Sequence, residues 1–96
     1  KIKVINSPGA STNAVAEHVL GLMLSLYRHI PRANAGMKNK KWDKKLLMGN
    51  ELFGKTLGII GFGRIGTEVA KKAKCLGMNV LAYDIRKTES EFAKFV

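Results

Sequence analysis

Three glycines, Gly61, Gly63 and Gly66, constrain this chain more than any other feature. They stand in the spacing G-x-G-x-x-G, and their flanks give that spacing its meaning. Before them runs Leu57 to Ile60, short, apolar, partly β-branched and interrupted only by Gly58, which reads as a buried strand. After them Ile65, Val69, Ala70, Ala73 and Leu76 recur on one face of a helix, and Gly77 is placed to end it as a left-handed cap. Met78 to Tyr83 is a second apolar run, closed by Asp84. A strand, the glycines, a helix, a second strand and a terminal acid form the context in which this spacing binds a dinucleotide.

Each residue type has a physical task there. Gly61 allows the tight turn out of the strand, Gly63 leaves room for a pyrophosphate against the backbone, and Gly66 lets the helix pack closely on the sheet. The helix opens with unpaired N–H groups and partial positive charge, which favour an anion. Asp84 can accept hydrogen bonds from the ribose hydroxyls of the adenosine half. The alternative is a glycine-rich turn in an α/β protein that binds no nucleotide; the glycines alone do not exclude it, and the full context weighs against it.

The residues ahead of this unit set expectations of their own. Ile2 to Ile5 is a short strand candidate, stopped by the turn cluster Asn6-Ser7-Pro8-Gly9. Such a cluster suits a crossover between domains or an ordinary surface turn, and composition does not choose between them; 1–9 is taken as the crossover and 10–96 as the N-terminal part of a nucleotide-binding domain. Ser11 or Thr12 is expected to cap a long helix from about Asn13 to His29, ended by Pro31. Val15, Val19, Leu22, Met23, Leu26 and Ile30 recur at helical spacing, with Leu20, Leu24 and Tyr27 as a second flank. A helix apolar around so much of its girth is expected to be central or to form a subunit contact. His18 has leucine, not a metal ligand, at i+4, and His29 sits in the last turn, so both are read as structural. No metal site is expected. The run Lys38 to Lys45 with Trp42 could contact nucleic acid through charge and stacking; the preferred reading is a solvated stretch whose tryptophan docks on the core. Beyond Asp84, Thr88-Glu89-Ser90-Glu91 fits a capping box, and Phe92, Phe95 and Val96 are expected to begin another helix.

Length and charge bound the possibilities. A chain of 96 residues can bury roughly 60 to 70% of its unfolded surface, enough for one modest core. A full doubly wound domain has about six strands, whereas two are evident here, so the chain is expected to be part of a longer protein. The balance of 17 Lys+Arg against 7 Asp+Glu gives a formal charge of +10. This excess suits nucleic acid or an anionic surface, or else belongs to a basic piece of a more balanced whole. The single cysteine, Cys75, excludes an internal disulfide framework and a CxxC site. No secretory signal is expected, because the opening Lys-Ile-Lys turns to Asn-Ser-Pro-Gly before any apolar stretch, and Val19 to Tyr27 is far too short an apolar run to span a membrane. A cytoplasmic protein without membrane partners is the default.

Taken together, the motifs resemble the D-isomer-specific 2-hydroxyacid dehydrogenases, and within them the D-3-phosphoglycerate dehydrogenases most. Asn6-Ser7-Pro8-Gly9-Ala10-Ser11-Thr12 and Val15-Ala16-Glu17-His18 look like the crossover from substrate domain to cofactor domain. Trp42, Gly49-Asn50-Glu51-Leu52 and Gly54 to Gly61 match the lead into the fingerprint, and Gly61 to Gly66 with Tyr83-Asp84 match the fingerprint and its acid. The resemblance covers nearly the whole chain. It implies a partial Rossmann-type doubly wound parallel sheet of the α/β class, preceded by a long apolar helix that joins subunits of a homo-oligomer. It implies NAD as cofactor, with Arg64 and Ile65 on the pyrophosphate through their amides and Asp84 on the adenine ribose.

It also implies a reaction: hydride transfer between NAD and a small D-2-hydroxy acid, first of all 3-phosphoglycerate, at the entry to serine synthesis. The catalytic arginine, glutamate and histidine of the family lie downstream of the fingerprint, so no catalytic residue is placed within 1–96, and these residues alone are expected to be inactive. Two other readings stand beside this one. Corepressors of the same family use the dinucleotide to assemble partners. A basic nucleic-acid-binding module, the less favoured of the two, would show a steep loss of affinity with salt.

Overall fold

The computed structural model describes residues 1–96 and arranges them as two layers, helices over a parallel sheet. The elements in chain order are α1 (Thr12–Tyr27), α2 (Ile30–Lys38), β1 (Thr56–Ile60), α3 (Arg64–Cys75), β2 (Asn79–Tyr83) and β3 (Lys94–Phe95). The sheet order is β1-β2-β3, and both pairings are parallel. In the first, Leu57 lies opposite Val80 and Ile59 opposite Ala82. Side chains alternate across a strand, so these four share one face. Ala70 and Ala73 of α3 pack in the same core as Val80 and Ala82, with Leu57 and Ile59 against it. Val69 turns instead towards α1, where it meets Ala16 and Leu20. Leu57 and Ile59 of β1 pack against this second cluster as well, so α1 and α3 cover the same face of the sheet. The opposite sheet face is open, with Ile60 89% and Tyr83 51% exposed.

Helix α3 ends as its sequence requires. Gly77 takes φ +81, its N–H bonds Lys74 O at 2.9 Å, and the N–H of Met78 reaches back to Ala73 O at 3.1 Å. This double bond pattern closes the helix with a left-handed residue, which glycine adopts without strain.

Several expectations give way to the structure. In place of one long apolar helix over 13–29 there is a 16-residue α1 and then a separate 9-residue α2. The break lies at Arg28 and His29, and His29 is left-handed at φ 54. Pro31 causes it. In a continuous helix its missing N–H would leave the Tyr27 carbonyl without its i+4 donor, and its ring would collide with that carbonyl. In the first turn of α2 the missing N–H costs nothing. The released Tyr27 carbonyl accepts the N–H of Asn50 at 3.1 Å. Ser11 does precede α1, but no side-chain hydroxyl caps it.

Ile2 to Ile5 forms no strand and stays exposed, because no neighbouring strand offers it a ladder. Trp42 does not dock on the core; it is 74% exposed. Thr88–Glu91 caps no helix. The Ser90 hydroxyl accepts the N–H of Phe92 at 3.1 Å, and the chain then enters β3. Phe92, Ala93 and Phe95 pack on the core, and the Phe95 ring meets Phe62 edge-on at 5.1 Å. The open edge of β2 captures a segment too short for its spacing to distinguish helix from strand.

Candidate functional site

The site is built where β1 hands over to α3. The ladder between β1 and β2 runs one residue past the strand, with the N–H of Gly61 on Tyr83 O at 2.8 Å. Gly61 then turns at φ +93, in the region glycine favours. The side chain of Phe62 is buried in the core, which anchors the loop. Gly63 precedes the helix in an extended conformation. The first bond of the helix runs from the N–H of Thr67 to Gly63 O at 3.0 Å, so the N–H groups of Arg64, Ile65 and Gly66 have no partner within the helix.

The glycines at 63 and 66 differ in their surroundings. A methyl group on Gly66 would strike the carbonyl of Gly61, so the helix start is pressed against the turn. A methyl group on Gly63 would meet nothing within 4 Å. The backbone there faces open space, and the chain offers a bare cradle at the positive end of a helix.

Asp84 follows β2 beside this loop. One carboxylate oxygen accepts the N–H of Phe62 at 2.6 Å, and the other accepts the N–H of Arg86 at 2.9 Å. These bonds, that of Arg86 foremost and then that of Phe62, hold the carboxyl below its ordinary pKa. The structure therefore gathers Gly61, Gly63, Arg64, Ile65, Gly66 and Asp84 around one turn.

A cleft of about 750 Å³ opens on the Ile65 side of the loop, and Ser7, Pro8, Gly9, Ser11 and Thr12 form its opposite wall. A second cleft, of about 670 Å³, lies on the Phe62 side and reaches Lys71 and Thr88. The loop residues Gly63 and Arg64 line both. The stretch from Ser7 to Thr12 was legible in sequence as a turn, a helix start and a resemblance to a domain crossover, but not as a wall of this cleft. The amide of Phe62 was not legible at all, since a backbone donor carries no residue signature. No group of three or more metal-ligating side chains is present, and no helix is long and apolar enough to cross a membrane.

This geometry agrees with the comparison to known families. Residues 20–96 match the family described as "D-isomer specific 2-hydroxyacid dehydrogenase, NAD binding domain". The chain belongs to this dehydrogenase family. A hydroxypyruvate reductase of Thermotoga maritima is 58% identical to it over 90 residues, which are 94% of this chain and 29% of that protein. A D-3-phosphoglycerate dehydrogenase of Methanocaldococcus jannaschii is 54% identical over 83 residues, 86% of this chain and 16% of the relative. The chain thus spans less than a third of the length of either. Among solved structures, the NAD-dependent formate dehydrogenase of Staphylococcus aureus in complex with NAD superposes with a TM-score of 0.85 at 33% identity, over 92% of this chain and 28% of that one. The dehydrogenase family fixes the fold as Rossmann-like and the cofactor as NAD.

Proposed function

We propose that this chain holds the NAD of an enzyme that moves a hydride between that cofactor and a D-2-hydroxy acid, with 3-phosphoglycerate as the substrate. The observation that carries the reading is the bare Gly63 backbone at the open end of α3, with the Asp84 carboxylate fixed beside it. The amides of Arg64 and Ile65, with Gly61, Gly63 and Gly66, take the pyrophosphate, and Asp84 takes the adenine ribose. NAD, when bound, supplies the hydride acceptor; this chain binds it and orients it. Residues 1–9 are the crossover into the domain, and 10–96 its first part.

The substrate assignment draws on the resemblance to phosphoglycerate dehydrogenases. Hydroxypyruvate is the second reading, favoured by the 58% identity to a hydroxypyruvate reductase. Steady-state kinetics of the full-length protein separate the two. The expected result is a higher kcat/KM for 3-phosphoglycerate with NAD than for glycerate, and higher for phosphohydroxypyruvate than for hydroxypyruvate with NADH. The reverse order makes the protein a hydroxypyruvate reductase.

Cofactor choice is the second part of the proposal. The 2′-phosphate of NADP would place like charge beside Asp84 and remove a hydroxyl donor, so NAD is preferred by about tenfold or more. Arg86 follows closely and its charge acts on Asp84, yet its exposed side chain can turn to solvent. Asp84→Ala in the full-length protein weakens NAD and narrows the gap to NADP. Equal use of both cofactors by the unmodified protein would remove Asp84 from this role.

A further inference from the structure

Asp84 carries two hydrogen bonds from its own chain. Its two carboxylate oxygens each accept a backbone N–H, one from Phe62 inside the glycine turn and one from Arg86 beyond β2. We propose that Asp84 is also a latch: it holds the glycine turn in its nucleotide-ready shape before the cofactor arrives, and ribose hydroxyls share the carboxylate without displacing either amide. The part concerning ribose rests on the function proposed above; the latch itself does not.

The geometry favours sharing. An ionised carboxylate has about four lone-pair positions, and the two amides take one on each oxygen. One further position on each oxygen remains for the two adjacent hydroxyls of a ribose. The two bonds also fix the carboxylate about its own axis, because each oxygen is pulled towards a different backbone segment. A side chain ordered in advance loses less freedom when the ligand binds.

The Phe62 bond does a second thing. It spans from the end of β2 to the residue between Gly61 and Gly63, two positions that carry little rotational restraint of their own. The Phe62 ring is anchored separately, against Phe95 and the core. With its ring held in the core and its N–H held by Asp84, Phe62 pins the middle of a turn that two glycines would otherwise leave loose.

Amide exchange and NAD titration on the full-length protein test this. In the cofactor-free protein, Asp84→Ala should speed exchange at both Phe62 and Arg86 by at least about tenfold, since both lose their acceptor. Asp84→Asn keeps one carbonyl oxygen and turns its NH₂ towards the other amide, so only one of the two should keep its protection. Unchanged exchange at Phe62 in both variants overturns the latch, while the ribose role stands if NAD binding still weakens. Faster exchange with unchanged NAD affinity keeps the latch and overturns the ribose role.

The unmodified protein gives a check that survives if the variants do not fold. The amide proton shifts of Phe62 and Arg86 should titrate together, with a common midpoint below the ordinary aspartate range, and the Arg86 guanidinium is the charged neighbour acting on it. Separate midpoints, or none, overturn the latch. Saturating NAD should preserve the protection of both amides; loss of protection at Phe62 on binding would show displacement and overturn the sharing.

Discussion

At the residue scale, the two glycines three positions apart make opposite predictions. Gly66 faces the carbonyl of Gly61, so Gly66→Ala must push the helix off the turn. Overpacking of this kind costs typically about 1–3 kcal/mol, and both thermal stability and NAD affinity are expected to fall. Gly63 faces open space and has an extended backbone that alanine can adopt. Gly63→Ala should therefore leave stability within about 0.5 kcal/mol, yet weaken NAD, because the methyl group stands where a pyrophosphate must approach. Thermal unfolding of the cofactor-free protein, paired with an NAD titration, separates the cases. A Gly63→Ala protein that binds NAD normally would show that the pyrophosphate lies elsewhere. Acid acts at the same turn with a definite sign. The lowered pKa of Asp84 means that its bonds stabilise the fold fully above the ordinary aspartate value, and that this contribution is lost as pH falls through the lowered one.

At the element scale, what was legible in the sequence depended on whether an element's cause is local. The unit from β1 through α3 to β2 could be read because each of its signals sits within it: the apolar strands, the glycine turn, the Gly77 cap. Of the elements outside it, α1 was read at nearly its observed bounds, whereas α2 and β3 were not. Pro31 marked a helix end in sequence, but it takes effect four residues back, at the Tyr27 carbonyl, and the segment around Asn50 that receives this carbonyl is distant in the chain. The capping pattern at Thr88–Glu91 was locally sound and lost to the open edge of β2. Among the site residues, the loop and Asp84 were visible as types in a spacing, whereas the Ser7–Thr12 wall exists only because α1 packs on α3. Gly49 is the residue through which the α1 break can be tested. A methyl group there would strike the Tyr27 carbonyl and crowd Arg28. Gly49→Ala should cost about 1–3 kcal/mol by chemical denaturation and leave NAD affinity nearly unchanged, since the contact lies at the far end of α1 from the cleft. A neutral substitution would mean that the 39–50 segment does not clasp the helix end.

At the scale of the whole molecule, the chain is broad and thin, with extents of 59 × 39 × 19 Å and a radius of gyration of 17.5 Å. A compact domain of this length would have a radius of about 12–13 Å. Only 10 residues are buried, and much of the apolar surface therefore faces outward. One such surface lies on α1, where Leu22 is 58% and Leu26 74% exposed while Leu20 of the same helix is 7% exposed. Leu20 is committed to the contact with α3; Leu22 and Leu26 are free for another. Exposed leucines on one element suit a subunit contact, and the formal charge of +10 opposes casual association of copies, so an assembly must draw on apolar contact of this kind. The proposed homo-oligomer is therefore expected to use α1. Replacing Leu22 and Leu26 together by glutamate in the full-length protein should shift sedimentation towards the monomer. The monomer itself should stay folded, because substitutions at exposed positions cost little. Leu20→Glu, by contrast, should unfold the domain, since it buries a charge without a partner. If the double variant keeps the oligomer and its NAD affinity, α1 is not the contact, and the uncovered sheet face at Ile60 and Tyr83 becomes the surface to test.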